Sequence, residues 1–301
     1  MKLLGKTART MQIFGIFLLF GVLNACSGPV SGSAEQLPTA TPVPSSTPLP
    51  TTTPTQLICT ASQGKVINRS VPSKLLSGSI SLKVYLPPCY NPEGSTRYPV
   101  LYMLHGQTYL NDQWVRIGIA STADQLIADK RILPLIIVMP QEDASTSDPY
   151  TAKFGDAVVQ EVIPYVEDHL AVCTDRSCRA IGGLSRGGNW AVRIGLSHPD
   201  LFAAIGAHSA PLFYGDLSKI PTWVEAVDSI EDVPVLYLDM GKSDENRQNI
   251  LQFEDELSSL GVVHDFYQFI GFHEEKYWSA HVEDYLRWYS VHLSPGENQA
   301  N

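Results

Sequence analysis

The residues best suited to chemistry are a serine, an aspartate and a histidine in the second half of the chain. Gly183-Leu184-Ser185-Arg186-Gly187 reads G-x-S-x-G, a weak pattern by itself. Here it follows an apolar run, Arg179 to Leu184, and opens a stretch of helical spacing, Gly187 to His198. In that setting the serine sits on a sharp strand-to-helix turn with its hydroxyl exposed. Such a turn is strained and needs small neighbours, which Gly183, Gly187 and Gly188 supply. The adjoining helix N-terminus also favours negative charge developing at Ser185.

A serine hydroxyl needs a base and the base needs an orienting acid. His273, in Gly271-Phe272-His273, follows the last predicted strand, and in this arrangement the base comes last in chain order. His281 falls inside the final helix and His264 inside the preceding strand, so both aim less freely at Ser185. Asp244, in Gly241-Lys242-Ser243-Asp244, follows the strand Val235 to Met240 and is placed to hold the imidazole tautomer and stabilise the imidazolium. Asp239 and Glu245 remain alternatives, and Asp244 is also positioned to cap a helix starting near Asn246. Two backbone N–H groups are needed for an oxyanion: that of Arg186, after the serine, and that of Gln107, in the loop after His105-Gly106. His105 precedes the serine and is expected to shape that loop. The set points to attack on a carbonyl through an acyl-enzyme, with no metal and no organic cofactor.

The surrounding pattern supplies the elements that must position these groups. Val66 to Ser70 and Ile80 to Leu86 read as antiparallel strands. Apolar runs at Val100 to Leu104, Leu135 to Met139, Arg179 to Leu184, Phe202 to Ala207, Val235 to Met240 and Val263 to Ile270 read as further strands. Between and after them, Thr122 to Asp129, Asp156 to Leu170, Gly187 to His198, Asn246 to Leu260 and Tyr277 to Leu293 carry helical spacing. Alternating strands and helices predict an α/β fold with a mostly parallel sheet covered by helices on both faces. Ligands in such sheets bind beyond the carboxyl ends of the strands, where the candidate residues fall.

Tyr98-Pro99-Val100-Leu101-Tyr102-Met103-Leu104-His105-Gly106 resembles the opening of the esterase family that includes esterase D, enterochelin esterases, feruloyl esterases and the mycolyltransferases. Further matching stretches are Glu161-Val162-Ile163-Pro164-Tyr165-Val166-Glu167, Arg179 through Gly188, His198-Pro199-Asp200-Leu201-Phe202, and His273 with Trp278. They run in order along the whole globular part. The resemblance implies an α/β-hydrolase fold, and implies that Trp278 and the loop Gln107 to Trp114 help line a substrate cleft. Phe272 stands where the family often has a second glycine, and Arg186 where it often has methionine. Both departures bear on the acyl pocket, and the Arg186 side chain is expected either at the substrate or in solvent.

The N-terminus sets the compartment. Lys2, Lys6 and Arg9 precede an apolar run from Met11 to Leu23, too short for a membrane span and suited to a signal peptide. Leu23-Asn24-Ala25-Cys26 resembles a bacterial lipobox, which predicts cleavage before Cys26 and its lipidation. Residues 28–56 are rich in Ser, Thr, Pro and Ala and predict an extended tether. The four other cysteines are an even set for an oxidising compartment, and their positions predict Cys59–Cys89 across a hairpin and Cys173–Cys178 across a short polar turn. Their spacing lacks the pairs of a zinc site. A net charge of −10 argues against a nucleic-acid partner.

The expected organisation is a signal peptide over 1–25, a lipidated tether over 26–56, a catalytic domain over 57–294 and a disordered tail over 295–301. The expected protein is a bacterial extracytoplasmic serine esterase, held to the membrane by its lipid alone and acting on a small or carbohydrate-linked ester. Acyl transfer to a sugar acceptor is the alternative within enzymes. Outside them stands a non-catalytic lipoprotein binding glycans or siderophores.

Overall fold

The computed structural model describes residues 59–143 and 145–294. The expected signal peptide, lipidated Cys26, tether and tail lie outside the described residues. Strands β1 (Lys65–Pro72) and β2 (Ser79–Leu86) form an antiparallel hairpin in register from Lys65↔Leu86 to Pro72↔Ser79. The Cys59–Cys89 disulfide closes this hairpin at its open end, and Cys173–Cys178 closes the turn before β5, as expected. The remaining strands are β3 (Val100–Leu104), β4 (Ile136–Pro140), β5 (Arg179–Leu184), β6 (Ala204–His208), β7 (Val235–Gly241) and β8 (His264–Phe269). The sheet has eight strands in the order β1-β2-β4-β3-β5-β6-β7-β8. Strand β2 pairs antiparallel with β4, and every later pairing is parallel. This is the predicted α/β-hydrolase architecture.

In β3 to β6 every residue is buried, because parallel strands covered on both faces have no polar side to show. Helices α1 (Gln113–Arg116), α2 (Ile119–Ala128), α3 (Phe154–Ala157), α4 (Ile163–His169), α5 (Arg186–Ser197), α6 (Ile220–Glu225), α7 (Arg247–Leu260) and α8 (Glu275–His292) supply that cover. The strand period of two sorts the core into halves. Val100, Tyr102 and Leu104 join a cluster with residues of α3 to α7, whereas Leu101 and Met103 join one with α1, α2 and α8.

The stretch expected to form one helix over Asp156 to Leu170 is broken into α3, a wide π turn at Val158–Val162, and α4. Pro164, which has no N–H to continue the α-ladder, sits just past that turn. Among the described residues no helix is long and apolar enough to cross a membrane.

Candidate active site

Four successive strand ends build the site. Strand β5 delivers Ser185 at its turn into α5, with φ +52° and ψ −123°. An L-residue holds this left-handed φ only under strain, and the surroundings hold it here. The Ser185 N–H donates to the His208 carbonyl at the end of β6 (2.8 Å), and the Ser185 carbonyl accepts from Asn189 N–H (3.1 Å). A Cβ on Gly183 would meet the Gly187 backbone at 2.3 Å, and one on Gly187 would meet the Leu104 carbonyl oxygen at 2.2 Å. The two glycines are therefore required by close backbone approach.

The loop after β7 carries Asp244 and the loop after β8 carries His273. His273 Nε2 lies 2.9 Å from Ser185 Oγ, and His273 Nδ1 lies 3.1 Å from Asp244 Oδ2. The other Asp244 oxygen accepts from the Asn246 N–H at 2.8 Å, so this carboxylate both shapes the turn into α7 and faces the imidazole. Burial alone would raise its pKa. The hydrogen bonds from His273 and the Asn246 amide, with the charge of a protonated imidazole, outweigh burial and hold it below its ordinary value. Of the alternatives, His281 stacks on Phe269, His264 bonds the Val262 carbonyl, and Asp239 bonds other side chains deeper in the fold, while Glu245 lies on the cleft wall and it is Asp244 that bonds the imidazole.

The loop after β3 closes the site from the other side. His105 is buried, with Nδ1 2.8 Å from the Gly106 carbonyl and Nε2 accepting from Glu142 N–H at 2.9 Å. Burial pushes its pKa down, which suits a ring that accepts through Nε2. The Gly106 N–H donates to Gln113 Oε1 at 2.8 Å. Both polar groups of Gly106 are thus fixed, and with them the peptide plane that carries the Gln107 N–H. Gln107, Ser185, Arg186, His273 and Trp278 all line one cleft of about 740 Å³. The Arg186 N–H belongs to the first residue of α5, where helix geometry leaves it without an intrahelical partner. Among the described residues no cluster of His, Cys, Asp or Glu is built to hold a metal.

The family model described as "Putative esterase" matches residues 73–289, most of the chain. The chain belongs to this esterase family. An endo-1,4-beta-xylanase/feruloyl esterase of Xylanibacter ruminicola is 33% identical over 156 residues, 48% of this chain and 21% of that protein. An esterase of Mycobacterium tuberculosis is 28% identical over 160 residues, 50% of this chain and 34% of that protein. The matches thus span a fifth to a third of these relatives' length. A solved ferulic acid esterase superposes with a TM-score of 0.69 at 27% identity, covering 77% of this chain and 99% of that one. An S-formylglutathione hydrolase of Staphylococcus aureus shares the fold, with a TM-score of 0.65 at 23% identity over 77% of this chain and 99% of that one.

Two expectations about the esterase's cleft need correction. Trp114 does not line it: the indole is 1% exposed, and its Nε1–H donates to the Leu104 carbonyl at 2.9 Å. Helix α1 turns it inward between His208 and Tyr285, into the core under the sheet. Tyr109, from the same loop, lines the cleft instead. The Arg186 guanidinium is left free for neither substrate nor solvent. It forms a two-pronged pair with Glu142 (Nε to Oε2 2.9 Å, Nη2 to Oε1 2.6 Å) and a third bond to the Ser147 carbonyl at 3.1 Å. The pair is buried, at 8% and 4% side-chain exposure, and pins the segment after β4 against α5.

A buried polar network under the elbow has no local signature in the sequence. Asp239, fully buried at the end of β7, accepts from His208 Nδ1–H (2.8 Å), Tyr277 Oη–H (2.5 Å) and Tyr285 Oη–H (2.8 Å). His208 Nε2 accepts from Tyr289 Oη–H at 3.0 Å. Burial, and then the Asp239 charge, push the three tyrosine pKa values up, so the hydroxyls keep their protons to donate. The network fastens α8 to the strand end whose carbonyl holds Ser185.

Proposed function

We propose that this protein is a serine carboxylic-ester hydrolase acting through an acyl-enzyme. The observation that carries the reading is the continuous line from Ser185 Oγ through His273 to Asp244, on a strained strand-to-helix turn. Ser185 Oγ attacks the ester carbonyl while His273 Nε2 takes its proton. The N–H groups of Gln107 and Arg186 receive the oxyanion. His273 returns the proton to the leaving alcohol, and water then attacks the acyl-Ser185 ester by the same route in reverse. Asp244, ionised, fixes the tautomer in which Nδ1 carries hydrogen.

The mouth of the cleft supports a neutral ester. Glu245 and Glu274 line it against one cation, Lys276, while Glu275 is paired with Arg116 and the Arg186 guanidinium with Glu142. An anionic substrate such as a glutathione thioester meets net repulsion there. Names of relatives favour feruloyl or similar carbohydrate-linked esters. The two disulfides suit an oxidising compartment, and Cys26 in its lipobox-like setting supports lipid tethering outside the cytoplasmic membrane.

Hydrolysis of p-nitrophenyl acetate by the parent and by Ser185→Ala tests the reading. The expected result is loss of activity by a factor of roughly 10⁴ or more in the variant. Equal rates would remove Ser185 from the mechanism. An inert, folded parent would remove the esterase assignment itself.

A further inference from the structure

Strand β8 is the last in the sheet order, so its outer edge has no partner strand among the described residues. Between this strand and α8 lies a second groove, of about 530 Å³, walled by Tyr237, Tyr267, Phe269 and Trp288. None of these residues takes part in the chemistry above. Tyr267 and Phe269, two apart on one face of β8, hold their rings nearly parallel, 9° between planes and 5.7 Å between centroids. Each ring is backed by another: Tyr267 by Tyr237 at 5.2 Å, and Phe269 by His281 at 4.2 Å. Tyr267 nevertheless leaves 41% of its surface in water. An edge strand that exposes aromatic rings invites unwanted pairing, so the exposure calls for an occupant.

The polar groups around the rings define that occupant. The charges that border the groove are mostly engaged, Arg131 with Glu283, Asp265 with the Trp288 N–H and Asp284 with His281, which leaves Arg287 as the one free charged group among the described residues there and no cluster of like charge to select an ion. Arg287 makes no hydrogen bond or ion pair among the described residues. Trp288 is held in place by its Nε1–H bond to Asp265 Oδ2 at 2.7 Å. Fixed aromatic surfaces flanked by carboxylates and a free guanidinium suit a neutral molecule with apolar C–H faces and a ring of hydroxyls, which describes a pyranose sugar. One end of the groove falls on the strand that precedes the catalytic histidine. Phe269 ends β8 at the rim that bears His273, and Tyr267 lies about 7 Å further from it along the strand. The exposed Phe272 follows Phe269 in the sequence, just before the histidine.

We propose that the β8–α8 groove is a binding site for a neutral polysaccharide chain, which it feeds toward the cleft so that esters carried on a polymer are presented to Ser185. The proposal rests on the esterase reading for its purpose, while the binding is measured separately. In a native gel containing soluble arabinoxylan, β-glucan or mannan, the Ser185→Ala protein is expected to be retarded by at least one of them. Tyr267→Ala and, independently, Arg287→Ala in that background are expected to weaken the retardation about tenfold in apparent affinity. Arg287 is exposed and structurally unpartnered, so its variant keeps the test valid if Tyr267→Ala fails to fold.

In the active background, the same two variants are expected to raise KM on feruloylated arabinoxylan. They should leave p-nitrophenyl acetate hydrolysis within about twofold of the parent, as for surface changes outside the machinery. No retardation on any of the three polymers overturns the proposal, as does retardation that neither variant changes. Light scattering that shows a dimer dispersed by Tyr267→Ala would make the groove an interface between copies and overturn it too. Retardation by a parent inert toward p-nitrophenyl acetate would leave the sugar site standing and dismiss the esterase reading alone.

Discussion

Replacing Arg186 by methionine, the residue frequent at this place in the family, is expected to harm this protein. The guanidinium supplies both hydrogen bonds to a Glu142 side chain that is only 4% exposed. Removing one partner of such a buried pair leaves an uncompensated charge and typically costs about 3–5 kcal/mol. For a domain of this size each kcal/mol lowers Tm by about 2–4 °C, so a drop of roughly 6–20 °C is expected. Glu142→Leu alone strands the guanidinium, although the Ser147 carbonyl bond partly compensates it. The double variant Arg186→Met with Glu142→Leu replaces the pair by apolar groups and is expected to recover to within about 1–2 kcal/mol of the parent. Denaturant unfolding of the parent, both single variants and the double variant gives the coupling directly. If the double variant loses the sum of the two single losses, the pair is not a coupled buried unit and the reasoning fails.

Asp244→Asn is expected to lower kcat by about 10⁴, through loss of the correct imidazole tautomer, with little change in KM. Because the Asp244 carboxyl is held below its ordinary value of 3.8, its contribution to stability is complete above about that pH and disappears as pH falls through the lower folded-state value. The part of the stability difference between parent and Asp244→Asn that comes from the carboxylate should therefore shrink as pH falls below about 4. A difference that stays constant as pH falls from about 4 to about 2 would contradict the assignment. Replacing Cys59 and Cys89 by serine opens a loop with a sequence separation of 30 and is expected to cost about 3–4 kcal/mol in denaturant unfolding. A loss under about 1 kcal/mol would mean that the unfolded chain gains little freedom from the opened hairpin.

The fold and the Ser185, His273 and Asp244 positions were legible because their signals are local. Each sits just past an apolar run with strand character, and glycines mark the turn that Ser185 requires. What stayed hidden depends on distant partners. Glu142 and Arg186 lie 44 residues apart, and nothing around either announces the other. His208 ends β6 and Asp239 lies near the end of β7, strands that read as plain apolar runs, while their three tyrosine partners belong to α8. Trp114 misled for the opposite reason. Its neighbours Asn111, Asp112 and Gln113 read as a polar loop, but Asn111 and Gln113 are themselves buried, and the short helix carries the indole under the sheet.

The Tyr289 hydroxyl reaches His208 through a gap that exists because residues 182 and 206 have no side chains; a Cβ on either would sit 1.8 Å from that oxygen. The final helix is thus keyed into the centre of the sheet. Its timing follows from chain order. A ribosome finishes the serine turn well before it makes His273 and the tyrosines that lock the strand ends. On the proposed mechanism, a growing chain carries its nucleophile before its base, and the two meet only once the segment from β8 through α8 has been made and docked.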